Sequence, residues 1–191
     1  MKKKISVNEL LGKVYEYYPR NIDCIQEKKE YITSKEHNKL LKKISEHKIE
    51  HHSQEKKQFI TSLSDKCDNN IVFNDSTYFE WLDRCYTFEF SENRGDFVFL
   101  LKAFQSILVP VYTIKFFKLE TSKEKTRFLE IGENEFTNSS LTNGVKSIFE
   151  SIGYTEFKES LISKKIIDVN FDDISMENFT FFNAFFNSQN F

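Results

Sequence analysis

Between Ser6 and Leu63 the apolar residues recur at helical spacing. Val7, Leu10, Leu11, Val14 and Tyr18 follow Ser6-x-x-Glu9, a reciprocal capping box, and Pro19 closes that first helix. Thr33-x-x-Glu36 repeats the capping signal. Leu40, Leu41 and Ile44 then form a narrow stripe that carries a second helix at least to His47. Phe59, Ile60 and Leu63 predict a shorter helix after Ser53, and residues 65–70 read as a loop.

Near Ile71 the period changes. Tyr86, Phe88 and Phe90 alternate with Thr87, Glu89 and Ser91, the two-residue repeat of a strand. Glu92-Asn93-Arg94-Gly95 predicts a turn, and residues 97–104 and 108–119 two further strands. The first of these is apolar at nearly every position, as a central strand is. Residues 121–125 predict a charged turn and 127–131 another strand, giving an antiparallel meander of about four. A helix then starts at Asn138 or Ser139, with Leu141, Val145, Ile148, Phe149 and Ile152 on one face and Gly153 just past its end. Gly144 inside it costs about 1 kcal/mol relative to alanine and points to close packing. A short helix at 157–162, a strand at 166–171 and a terminal strand through Phe179, Phe181 and Asn183 complete the pattern. The fold expected is one α+β domain over residues 1–191. Its N-terminal amphipathic helices pack on a mainly antiparallel sheet of four or more strands, with one further helix (about 139–152) and a C-terminal strand.

Composition sharpens this picture. The chain has 191 residues, with 21 Phe against 5 Gly and 2 Pro. Average usage would give roughly 13 Gly and roughly 10 Pro, so collagen-like and linker-like classes are excluded. An A/T-rich, bacterial coding sequence would enrich Phe, Lys, Asn and Ile. Coding alone does not explain why no Phe precedes Phe59. Phenylalanine therefore reads as core material of the sheet-containing part, and the seven Phe after residue 170 either close that core or form a partner face.

Charge divides at the same place. Residues 1–66 hold fifteen Lys and Arg against ten Asp and Glu; residues 67–191 hold twelve against nineteen. A basic helical front thus precedes an acidic body. Cys24, Cys67 and Cys85 show no CxxC spacing, which argues against a zinc ribbon or a disulfide framework and for reduced thiols in a cytoplasm. Asn8 and Glu9 interrupt any signal-peptide core. Lys102, Gln105, Pro110 and Lys115 interrupt the longest apolar run, so a pair of buried strands is expected there rather than a membrane span.

Candidate chemistry is sparse. His47-Lys48-Ile49-Glu50-His51 matches the H-x-x-E-H pattern of inverted zinc peptidases, which puts two imidazoles on one helix face beside a glutamate. Its flanks, Lys48, Gln54, Glu55, Lys56 and Lys57, read as a solvated helix end, and no third ligand is singled out. The five glycines are isolated, so no phosphate-cradling loop is possible, and no G-x-S-x-G is present. Nucleic-acid binding would lean on the Lys2–Lys4, Lys39/Lys42/Lys43 and Lys56/Lys57 clusters, with only Arg20 to read bases, against an acidic body that repels phosphate. No catalytic, cofactor-binding or metal-ligating residue is assigned.

The richest segment mixes aromatics and acids. Tyr78, Glu80, Trp81, Asp83, Glu89, Glu92 and Asp96 are the candidate partner-binding residues, with Tyr86, Phe88 and Phe90 between them. The reading is a non-catalytic cytoplasmic protein-binding module. Within that class an immunity-type protein, binding and neutralising a basic toxin domain through an acidic aromatic face, fits size and charge. A small zinc hydrolase on His47, Glu50 and His51 and a weak nucleic-acid binder are the alternatives.

Overall fold

A computed structural model describes residues 6–79, 82–121 and 126–187. Four helices come first: α1 (Val7–Val14), α2 (Lys28–Thr33), α3 (Lys35–Glu50) and α4 (Gln54–Ser64). Five strands follow: β1 (Ile71–Asp75), β2 (Cys85–Arg94), β3 (Phe97–Ser106), β4 (Val111–Thr121) and β5 (Thr126–Ile131). Then come α5 (Ser139–Ser151), β6 (Thr155–Glu156), α6 (Glu159–Ile162) and α7 (Phe181–Phe185). The architecture is α+β.

Local signals set most of these boundaries. Ser6 and Glu9 make the reciprocal capping box of α1. Ser53 caps α4 and Asn138 caps α5 through side-chain oxygens that accept from Lys56 N and Leu141 N. Gly153 ends α5 at φ 88°, a left-handed conformation that L side chains avoid. The β2–β3 hairpin pairs Arg94 with Phe97, which leaves Gly95-Asp96 as a two-residue turn with Gly95 at φ 60°. A β-carbon on Gly144 would come within 3.2 Å of Lys66 Cδ, so α5 does run close to the end of α4.

The strands pair in the order β1-β2-β3-β4-β5, each antiparallel to the next, and β6 pairs parallel to the start of β4. One face carries Tyr86, Phe88 and Phe90 of β2 beside Gln105, Ala103 and Leu101 of β3 and Tyr112, Ile114 and Phe116 of β4. α4 and α5 cover it: Phe59 meets Phe88 edge-on at 5.8 Å and Phe149 stacks on Tyr112 at 4.7 Å. On the opposite face Phe182 and Phe186 pack on Phe104 at 5.5 and 6.3 Å. The N-terminal helices reach that C-terminal segment too. Tyr18 donates to Ala184 O at 2.7 Å and packs against Phe171 and Phe179, while Tyr31 donates to Asn170 O at 2.8 Å. A single cluster of buried apolar residues therefore runs from Leu10 to Phe186.

Four expectations are corrected. The cap of the second long helix is Ser34, one residue after Thr33, whose hydroxyl instead donates to Lys29 O and Glu30 O inside a short helix, α2. β4 begins at Val111, because residues 107–110 turn the chain rather than extend the strand. Residues 166–171 form no strand: Ile166 N donates to Phe179 O, and Asp168 O and Asn170 O are taken by Asn21 N and the Tyr31 hydroxyl. Partners from the N-terminal third thus replace a strand neighbour. The terminal strand is the helix α7. Thr180 and Asn183 form a second reciprocal capping box, and Phe181–Phe185 and Phe182–Phe186 contacts run along its turns at 5.9 and 5.4 Å. The predicted turn at 121–125 lies largely outside the described residues.

Candidate functional site

The described residues of the acidic aromatic segment do not lie on one face. Tyr86, Phe88 and Phe90 are buried core residues. Glu89 and Glu92 lie on opposite faces of β2 by strand alternation. Each is neutralised: Glu89 lies 2.7 Å from Lys102, and Glu92 accepts from Arg94 Nε at 2.7 Å. Tyr78 (57% exposed) and Asp83 flank the start of β2, and exposed Asp96 sits in the hairpin turn at its other end. Ten residues of strand, about 30 Å, separate them. Asp83 is half-buried, and burial raises its carboxyl to about 6 while Arg84 opposes the shift. Glu80 and Trp81 lie outside the described residues.

His47, Glu50 and His51 stand where the end of α3 meets the sheet. His47 Nδ1 lies 2.9 Å from Glu50 and 3.1 Å from the Tyr86 hydroxyl. His51 stacks on the Tyr86 ring and its Nε2 lies 3.2 Å from Asp75. Burial lowers the His47 pKa, with Glu50 opposing. Among the described residues no three His, Cys, Asp or Glu side chains are grouped to hold a metal ion. Of the flank expected to be solvated, Lys48, Gln54, Glu55 and Lys57 are exposed, but Lys56 turns inward and is 7% exposed. Its Nζ donates to Gln105 at 2.7 Å and sits 3.2 Å above the Tyr86 ring. Its spacing from Phe59 and Leu63, three and seven residues, was the signal that it belongs to the inward face of α4. Lys56 is thereby removed from the basic clusters that a nucleic acid could touch.

A third feature was invisible in the sequence. β4 spans 11 residues, but β5 pairs only with residues 116–121 and β6 only with Val111 and Tyr112. Among the described residues, none forms a strand on the outer side of Thr113, Ile114 and Lys115. Tyr112 O accepts from Phe157 N across that side, so alternation aims the backbone N–H and C=O of Ile114 the same way. A groove of about 410 Å³ opens there, between residues 130–133 and residues 156–159. Lys146 of α5 spans it, 3.0 Å from Glu133 and 3.1 Å from Glu156. On the other side Lys115 pairs with Glu130 at 3.0 Å and lies 5.0 Å from the Phe182 ring. Lys158 and Glu159 stand exposed at one end.

No protein-family model, curated protein or solved structure matches the chain. No helix among the described residues is long and apolar enough to cross a membrane.

Proposed function

We propose that this chain is a non-catalytic protein-binding module that takes an extended segment of its partner into the groove beside β4. The observation that carries this reading is the three-residue gap in the outer pairing of β4. An unpaired strand edge is a template for strand addition, in which main-chain hydrogen bonds supply affinity and flanking side chains select the sequence. Lys115, Lys146 and Lys158 on one side of the ledger and Glu130, Glu133, Glu156 and Glu159 on the other give that selection a charged character. The partner class we favour is basic, because residues 67–191 carry nineteen acids against twelve bases. A toxin domain neutralised by a small acidic protein, as in bacterial immunity pairs, has that chemistry, and co-expression with such a toxin tests this finer reading by growth rescue.

The groove itself is tested by selecting a library of extended decapeptides on the purified protein and mapping the winners by amide chemical shifts. Perturbations at Thr113–Lys115 and at residues 130–133 and 156–158 are expected. Ile114→Pro removes the outward N–H without breaking a β3–β4 bond and should weaken binding at least tenfold. A library that yields no binder, or binders that map elsewhere, overturns the reading.

A further inference from the structure

Lys56 lies in the first turn of α4, almost without access to water. Its described partners are one amide oxygen, Gln105 Oε1, and three rings: Tyr86 at 3.2 Å, Phe59 at 4.6 Å and Phe88 at 5.5 Å from Nζ. No carboxylate is among them. Removing an ammonium from water is costly unless a counter-charge meets it, and ring faces return only part of that cost.

The groups facing this amine come from every neighbouring element. α3 contributes His47 and Glu50, with His51 at its cap; β1 contributes Asp75, β2 Tyr86 and β3 Gln105. Tyr154, just before β6, faces Gln105. Burial pushes the Lys56 amine down to about 7, with Glu50 and Asp75 opposing from a distance. Lys43 and Glu46, one turn back on α3, act on His47 instead. Tyr86 and Tyr154 are both pushed up by burial, so both stay neutral through the physiological range.

We propose that Lys56 is an acid-sensitive pin: uncharged, it locks α4 against β2 and β3; charged, it favours local release of α4, and through Gln105 and Tyr154 it loosens β6, one wall of the groove. Released, the amine regains water and its ordinary affinity for protons, so opening takes up a proton and is promoted by acid. The pin is a property of the fold; only its bearing on partner binding rests on the groove reading above.

Amide hydrogen exchange of the intact protein at pH 8.5 and pH 6 tests it, after correction for the intrinsic pH dependence of exchange. Protection of α4 amides should fall roughly ten- to thirtyfold on acidification, with a smaller fall at residues 154–157 and none in the β2–β3 pairing. In Lys56→Met the fall should vanish. Equal protection at both pH values, or an unchanged fall in Lys56→Met, overturns the proposal. If that variant does not fold, the Lys56 Cε resonance of the native protein decides: a midpoint near 7 to 8 supports the pin, and one near 10 refutes it. These readouts need no peptide, so a groove that binds nothing leaves them intact, and a flat exchange profile leaves peptide binding intact.

Discussion

Arg84 should be the most costly polar side chain to replace. It is fully buried where β2 begins. Its Nη1 donates to Leu82 O at 2.8 Å and its Nη2 to Asn183 O at 2.6 Å, while the guanidinium lies 4.8 Å from the Phe171 ring. Its own backbone is held as well, with N donating to Phe186 O and O accepting from Ile107 N. Leu82 adopts φ 59° in the turn whose carbonyl meets the guanidinium, a conformation that costs a leucine about 1 kcal/mol. One side chain thus ties the sheet to α7 and the segment before it. Arg84→Met deletes at least these two hydrogen bonds from a charged donor, worth about 1.5–3 kcal/mol each, and leaves one buried and one part-buried carbonyl without that donor. The buried charge goes too, which returns part of the loss. A net destabilisation of about 3 kcal/mol follows, or a urea midpoint lower by roughly 1.5 M at a slope of about 2 kcal/mol per M. Arg84→Lys keeps the charge but loses the fork and should fall between the two. Urea unfolding at pH 7 followed by circular dichroism measures all three proteins. An Arg84→Met protein within about 0.5 kcal/mol of the parent would refute the staple, as would a lysine variant of parental stability.

Two further outcomes follow from the same contacts. Asp83→Asn should stabilise the protein above pH 6 by about 1–2 kcal/mol, allowing for partial solvent screening. The folded carboxyl, raised to about 6, holds its proton longer than the unfolded one, so Asp83 costs stability progressively as pH climbs from about 4 to 6; unfolding midpoints at pH 4 and pH 7 check this, with no difference expected at the lower pH. Thr180→Ala removes one half of the α7 capping box and should cost about 1 kcal/mol, while Thr180→Ser should cost far less, a contrast read from thermal melts.

Elements whose determinants are local were legible before any coordinates. The capping box at Ser6 and Glu9, the start of α5 at Asn138 or Ser139, the stripe of α5 and the alternation of β2 each rest on side chains within a few residues of one another. The sheet followed from alternation and turns. What failed did so where a short apolar run could bury itself in two ways. Phe179 to Phe186 holds five Phe in eight residues closely enough spaced to fit either period. Thr180 and Asn183 gave the deciding cap, but that pair also looks like ordinary strand residues until Arg84 and Tyr18 are seen to take the Asn183 and Ala184 carbonyls. The described residues of the candidate partner segment are spread out for a related reason. Aromatics beside acids describe a half-buried strand as well as an interface, and here Lys102 and Arg94 meet two of the acids while α4 and α5 cover the aromatics.

By itself the sequence determined that this chain folds as basic amphipathic helices followed by an acidic antiparallel sheet, and that phenylalanine fills the core of the latter. Among the described residues fifteen phenylalanines are buried. Periodicity and capping are short-range properties, and the sequence carries them in full. Only the tertiary structure decided where the polar exceptions go. Lys56 faces Tyr86 from a residue 30 positions away, Arg84 reaches Asn183 across 99, and the gap beside Thr113, Ile114 and Lys115 exists because β5 ends beside Phe116 and β6 ends beside Tyr112. Such placements depend on which distant backbone groups and rings come to lie together, and no local pattern encodes that.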